Sequence, residues 1–181
     1  MPDLGDLPAG RVLWTLSEGL PTHERWLQAD ESWPVESLRW TTDAFLLPRI
    51  PLRYDAWGIR DAWKAPVLLR GAADVMLPEG DLRFLVRARG LGRLWVDGLL
   101  VARTEAHGKQ PPNGEEEMTP HAEPPFPGAR RAGYRQQEVF GSLAPAENGA
   151  QGTGRHRVVW ELVLGGKNLR TESGELCVGW Q

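Results

Sequence analysis

Six residues carry the side chains best suited to holding a ligand. Trp57 and Trp63 offer aromatic faces, which stack on sugar rings and on other flat or apolar surfaces. Arg93 and Asp97 add a guanidinium donor and a carboxylate acceptor on either side of the stretch Leu94-Trp95-Val96. Arg130 and Tyr134 stand in a Pro/Gly-rich stretch and are expected to shape a ligand or partner surface there. Trp26, Trp33, Trp40, Trp57 and Trp63 share no clear period; packing of the N-terminal region is the expected role, with a glycan platform formed by some of them as the alternative. Arg83, Arg87 and Arg89 alternate along one run, which predicts a solvated sheet face, with an anionic-ligand surface as the alternative.

Covalent chemistry finds little support. Ser142, Ser173 and Cys177 have no base in a recognisable arrangement, and no pair of carboxylates stands out on adjacent strands. The run GLGRLW at 90–95 is followed by a strand pattern rather than a helix, so it is no dinucleotide fingerprint. Gly165-Gly166-Lys167 likewise precedes no helix. His107, His121 and Glu115 to Glu117 lack metal-ligand spacing and read as a solvated loop. The expectation is a non-enzyme with no cofactor and no metal.

These side chains need a scaffold, and 181 residues suffice for one domain with a real core. Lys and Arg number 21 against 24 Asp and Glu, a balance that argues against a general nucleic-acid binder. Glycine (21) and proline (15) together make about a fifth of the chain, natural for a loop-rich β protein. Nine tryptophans are present, six of them before residue 64. The single cysteine permits no internal disulfide. No apolar stretch approaches the ~18 residues of a membrane helix, and no membrane insertion is expected. The N-terminus MPDLGDLPAG lacks the basic and apolar regions of a signal peptide, and the chain stops directly after a strand-like run. The first feature leaves two readings, a cytoplasmic protein or a piece excised from a longer polypeptide, and the strand-like end favours the second.

The strongest local signal is Asp97-Gly98 between two apolar runs. A type I′ turn needs φ > 0 at both central residues, which Asp tolerates and Gly adopts freely. Leu82, Phe84, Val86 and Ala88 alternate with Arg83, Leu85, Arg87 and Arg89, predicting a strand with one buried face. Three antiparallel strands are expected over 81–89, 92–96 and 99–103. Elsewhere, 11–16, 37–47, 67–70, 73–77, 137–143, 156–164 and 175–180 read as strands. The segment 48–66 is punctuated by prolines and reads as an aromatic-packed connection with one short helical turn near Ile59–Trp63.

Trp95 and Trp160 fall in strand patterns and are expected in the core. Residues 104–155 form a long insert with seven prolines and eight glycines. Within it, 108–122 is expected to be exposed, while 124–143 is anchored through Phe126, Tyr134, Val139 and Phe140. Eight to ten strands with almost no helix predict an all-β fold, a two-sheet antiparallel sandwich.

Pro78, Gly80, Phe84 and the run Arg93-Leu94-Trp95-Val96-Asp97-Gly98 resemble the anthrax protective antigen fourteen-kilodalton domain. That resemblance implies a β-sandwich of the kind found in exported glycosidases, adhesins and toxins. Over PLRYDAWGIRDAWKAPVLLR, GARRAGYRQQEVF and HRVVWELVLGGKNLRTESGELCVGW, the chain looks like a module of large exported planctomycete proteins that also carry cytochrome-c-like domains. It implies an extracytoplasmic location as part of a longer protein. Sugar-binding members hold calcium through adjacent acids just before the hairpin. Here that stretch is Arg89-Gly90-Leu91-Gly92, and Asp97 alone cannot supply six to eight oxygens.

The expected function is a non-catalytic accessory module that binds carbohydrate or a protein surface. The alternatives are a structural spacer packing on neighbouring domains, and part of an enzyme acting on polysaccharide. Clustered exposed tryptophans would favour glycan binding; buried ones beside an apolar face would favour docking on protein.

Overall fold

The structure is a computed structural model and describes residues 4–78, 80–88, 90–106, 137–143, 154–166 and 176–180. These residues contain twelve strands and no helix. A six-stranded antiparallel sheet has the order β2 (Glu36–Thr42), β1 (Val12–Ser17), β6 (Val67–Leu77), β11 (Gly154–Leu164), β8 (Gly92–Val96), β9 (Leu99–Thr104). A four-stranded sheet has the order β10 (Gln137–Leu143), β7 (Leu82–Ala88), β12 (Leu176–Trp180), β3 (Leu46–Leu47). Two short strands, β4 (Arg53–Tyr54) and β5 (Arg60–Asp61), form a separate hairpin. The expected two-sheet antiparallel β-sandwich is therefore the fold.

One inner-face row shows how the core is made. The strand register aligns Trp40, Trp14, Gly71, Trp160, Leu94 and Ala102 across all six strands of the large sheet. Trp14 stacks on Trp40 at 6.2 Å between ring centroids and meets Trp160 edge-on at 6.0 Å. The missing side chain of Gly71 leaves the space these indoles fill. Phe84, Val86 and Val178 of the small sheet close the same core from the other side. Burying this aromatic surface together with the aliphatic residues around it drives folding, at about 25 cal/mol per Å² of apolar surface. Gly141 of β10 lets the sheets approach, since a Cβ there would lie 2.3 Å from the Val101 carbonyl oxygen.

Several local expectations are corrected by this topology. The run 81–103 does not make one three-stranded unit. Only β8 and β9 pair with each other, while β7 crosses to the other sheet and pairs with β10 and β12. The stretch 37–47 is two strands in different sheets, joined through Asp43-Ala44-Phe45. In contrast, 67–70 and 73–77 belong to one continuous strand of 11 residues. The helical turn near Ile59–Trp63 is a strand instead, because Arg60 and Asp61 pair with Tyr54 and Arg53.

Trp160 is fully buried as expected, but Trp95 points to the outer face and is half-buried. Arg87, expected on a solvated face, is 2% exposed. Of the insert, the strand 137–143 is present, and Phe140 lies under the Arg83 guanidinium at 4.1 Å. The expectations for 108–122 and for Phe126 lie outside the described residues.

Candidate functional site

Residues 53–61 form a small finger. Arg53 stands opposite Asp61 and Tyr54 opposite Arg60. Between them, Asp55 organises the tip: its Oδ1 accepts from the backbone N–H groups of Trp57 (2.9 Å) and Ile59 (2.8 Å). Its own N–H donates to the Ile59 carbonyl at 2.9 Å, and Gly58 supplies the positive φ of 76° that the turn requires. This is local chemistry: a short polar side chain replaces the backbone partners that a tight turn strands.

The base of the finger is tied to the sandwich. Arg53 pairs with Asp61 and reaches Glu18 at 3.4 Å. The Glu18 carboxylate accepts from the Lys64 N–H at 2.8 Å, and the Gly19 N–H donates to the Lys64 carbonyl at 2.8 Å. Trp63 is half-buried against the main core and donates its indole N–H to the Pro51 carbonyl at 2.9 Å. Trp63 thus braces the finger, whereas Trp57 projects from its tip with 88% of its surface exposed. Tyr54 (57%) and Ile59 (65%) flank it. An exposed Trp, Tyr and Ile on a hydrogen-bonded turn form an apolar contact surface held in shape before any partner arrives.

The other candidate residues lie elsewhere. Arg93, on the outer face of the large sheet, donates its Nε–H to Glu161 at 2.7 Å. Glu161 is fully buried and also accepts from Arg70 at 2.9 and 3.1 Å and from the Trp95 indole at 3.3 Å. Strand register places Arg70, Glu161 and Arg93 side by side on three neighbouring strands.

The segment between β1 and β2 roofs this triad, with Trp26 stacked on Arg93 at 4.0 Å and Trp33 on Arg70 at 4.7 Å. Leu20, Leu68, Leu91 and Val163 make a second apolar cluster beneath the same roof. The roof is clamped by Arg25, which holds Glu31 through two hydrogen bonds of 2.6 and 2.8 Å. That pairing, helped by the Gln28 N–H, holds the Glu31 carboxyl down at about 2.

Asp97 closes the β8–β9 turn with φ of 49°, followed by Gly98 at 81°, as a two-residue I′ turn demands. Its carboxylate is engaged: Oδ1 accepts from the Arg157 N–H at 2.8 Å, and Oδ2 lies 2.6 Å from His156 Nδ1. The turn is thereby pinned onto β11. Arg130 and Tyr134 lie outside the described residues.

Trp57 and Trp63 stand at the tip and the base of the finger, whereas Arg93 belongs to β8 and Asp97 to the β8–β9 turn of the large sheet. Sequence reasoning misses Glu161 and Arg70, although a lone carboxylate inside Val158-Val159-Trp160-Glu161-Leu162-Val163-Leu164 signals a buried, paired charge. Among the described residues, no group of three His, Cys, Asp or Glu side chains could hold a metal ion. No helix among them is long and apolar enough to cross a membrane.

The fold and the finger define a two-sheet β-sandwich module with a projecting aromatic hairpin. No protein-family model and no curated protein matches the chain. Among solved structures, an anti-sigma factor domain-containing protein is similar over 100% of this chain and 46% of its own, with a TM-score of 0.51 at 11% identity. A β-glucosidase from Kluyveromyces marxianus, crystallised with glucose, aligns over 94% of this chain and 15% of its own (TM-score 0.48, 11% identity). An α-xylosidase from Xanthomonas citri aligns over 94% and 13% (TM-score 0.39, 13% identity). At 11% identity the likeness to the anti-sigma factor domain-containing protein is one of fold, and the chain spans less than half the length of each of these neighbours.

Proposed function

We propose that this chain is a non-catalytic accessory module of a longer exported protein and that it acts by docking its finger on another protein surface. The observation that carries this is the exposure of Trp57 on a turn fixed by two hydrogen bonds to Asp55. Trp and Tyr are the residue types that dominate binding energy at protein interfaces, and a rigid turn loses little entropy on binding. Ile59 favours protein over glycan, because a β-branched aliphatic fills an apolar pocket but offers no flat face to a sugar. The other tryptophans are buried or half-buried, so no exposed tryptophan platform extends from Trp57 among the described residues. The neighbouring domains of the parent chain are the nearest candidates for that surface, and the protective-antigen-type resemblance fits such a setting.

A carbohydrate reading of the same finger rests on the flat rings of Trp57 and Tyr54. One experiment separates the two. A photo-crosslinking amino acid placed at Trp57 in the parent protein should capture a polypeptide segment, and Trp57→Ala should abolish that docking without changing the melting temperature. Binding of the chain to a glycan array that Trp57→Ala abolishes, with no polypeptide crosslink, would replace docking with glycan recognition.

A further inference from the structure

The long strand β6 outruns one of its neighbours. β6 extends to Leu77, but β1 pairs with it only as far as Ala72. The chain before β1 leaves the sheet abruptly: the Arg11 N–H donates to the Pro8 carbonyl at 3.3 Å, and Gly10 holds a positive φ of 66°. On its other side β6 is paired along its whole length by β11. Residues 73–77 therefore present a free backbone edge inside the large sheet, and no strand covers it among the described residues. A cleft of about 460 Å³ lies along that edge. Val75 and Trp180 form its inner wall, half-buried at the rim of the main core. The turn at 8–11, which stands where β1 would otherwise continue, closes one end.

A free strand edge selects its own ligand class. Its N–H and C=O groups recur at the spacing of an extended backbone, and another polypeptide strand repeats acceptors and donors at that same spacing. Every pairing in this sheet is antiparallel, and a guest antiparallel to β6 would lie in line with β1 and run in the same direction. Its forward path meets the 8–11 turn, so the guest has to end there, and its terminal carboxylate then faces the Arg11 guanidinium. Arg11 lies 2.7 Å from Asp43, but the two side chains are 44% and 86% exposed, and a pair of that kind contributes little and is readily exchanged. Alternate guest side chains would rest on Val75 and Trp180, which favours apolar residues there, while the others point outward past Asp74. We infer that this notch captures the extended C-terminal tail of another polypeptide by adding it as a strand beside β6. That role goes beyond docking through the finger, and neither depends on the other.

The test is a fluorescence-polarisation titration of the whole chain against a pool of labelled hexapeptides. Each carries Val, Ile, Leu or Phe at alternate positions and a free C-terminal carboxylate. At least one sequence should bind saturably, and its C-terminal amide should bind about tenfold more weakly. Arg11→Ala should weaken binding of the free acid by about the same factor, with an unchanged melting temperature. Backbone pairing is read separately. N-methylating one set of alternate residues in that peptide should abolish binding and the other set should not, because only every second N–H of an added strand faces its neighbour. Amide hydrogen exchange within residues 73–77 should slow when the peptide is bound. Trp57→Ala should leave the titration unchanged, so failure here is distinguishable from failure of the finger. Absence of saturable binding across the pool, equal binding of acid and amide, equal effects of the two N-methyl sets, or unchanged exchange at 73–77 would overturn the inference.

Discussion

A Cβ on Gly71 would lie 2.6 Å from the six-membered ring of Trp14, closer than real carbon atoms approach. Trp14 cannot retreat, because Trp40, Phe45 and Trp160 hold it on other sides. Gly71→Ala should therefore destabilise the fold by about 1–3 kcal/mol, the usual cost of overpacking a filled core. Urea denaturation checks this; an unchanged midpoint would mean that the indole cluster has slack to absorb a methyl group.

The buried triad makes a larger effect. Glu161→Gln keeps the shape but removes the charge that Arg70 and Arg93 share beneath the tryptophan roof. Losing one member of a buried ion network costs about 3–5 kcal/mol. The same denaturation assay should show the loss, together with a change in the tryptophan fluorescence as Trp26 and Trp33 loosen.

At the β8–β9 turn, Gly98 holds φ at 81°. Gly98→Val forces a β-branched residue into the left-handed region and should lower stability by about 1–3 kcal/mol. Open space surrounds that position, so the loss would report backbone conformation alone. A wild-type melting temperature in this variant would remove the type I′ assignment.

Acid should loosen the roof before the core. The Glu31 carboxyl sits at about 2 against an ordinary 4.5, chiefly because Arg25 hydrogen-bonds its ionised form. A carboxyl lowered in the folded state contributes stability that is complete above its unfolded value and disappears as pH falls through the folded one. The contribution should fade from about pH 4.5 down to about pH 2. Asp74, lowered by its bonds to Arg157, acts with the same sign. Melting temperatures across that interval should fall less steeply for Glu31→Gln than for the parent chain.

Part of this architecture is legible in the sequence. The Asp97-Gly98 turn, the alternation at Leu82 to Ala88 and the doubly apolar run at Val158 to Leu164 each encode a strand or turn through contacts within a few residues. Such signals survive in a one-dimensional reading because their physics is local: side-chain period, allowed φ and the chemistry of short turns. Trp57 as a candidate contact residue is readable for the same reason, since its neighbours Asp55 and Gly58 build the turn that exposes it.

Partnership between distant strands is not legible. Nothing near Leu82 says that β7 leaves its sequence neighbour β8 for the opposite sheet, and an alternating strand fits either place. Arg87 illustrates the consequence: the same alternation that predicts a solvated face places it at 2% exposure once other elements cover it. Likewise Arg70, Glu161 and Arg93 lie far apart in the chain and become one charged row only through the register of β6, β11 and β8. By itself, then, the sequence determined the all-β class, the β8–β9 turn and most strand positions, through local period and turn chemistry. The tertiary structure alone decided which strands share a sheet and which arginines are buried. Those outcomes depend on burial and pairing between residues tens of positions apart, and no local pattern records them.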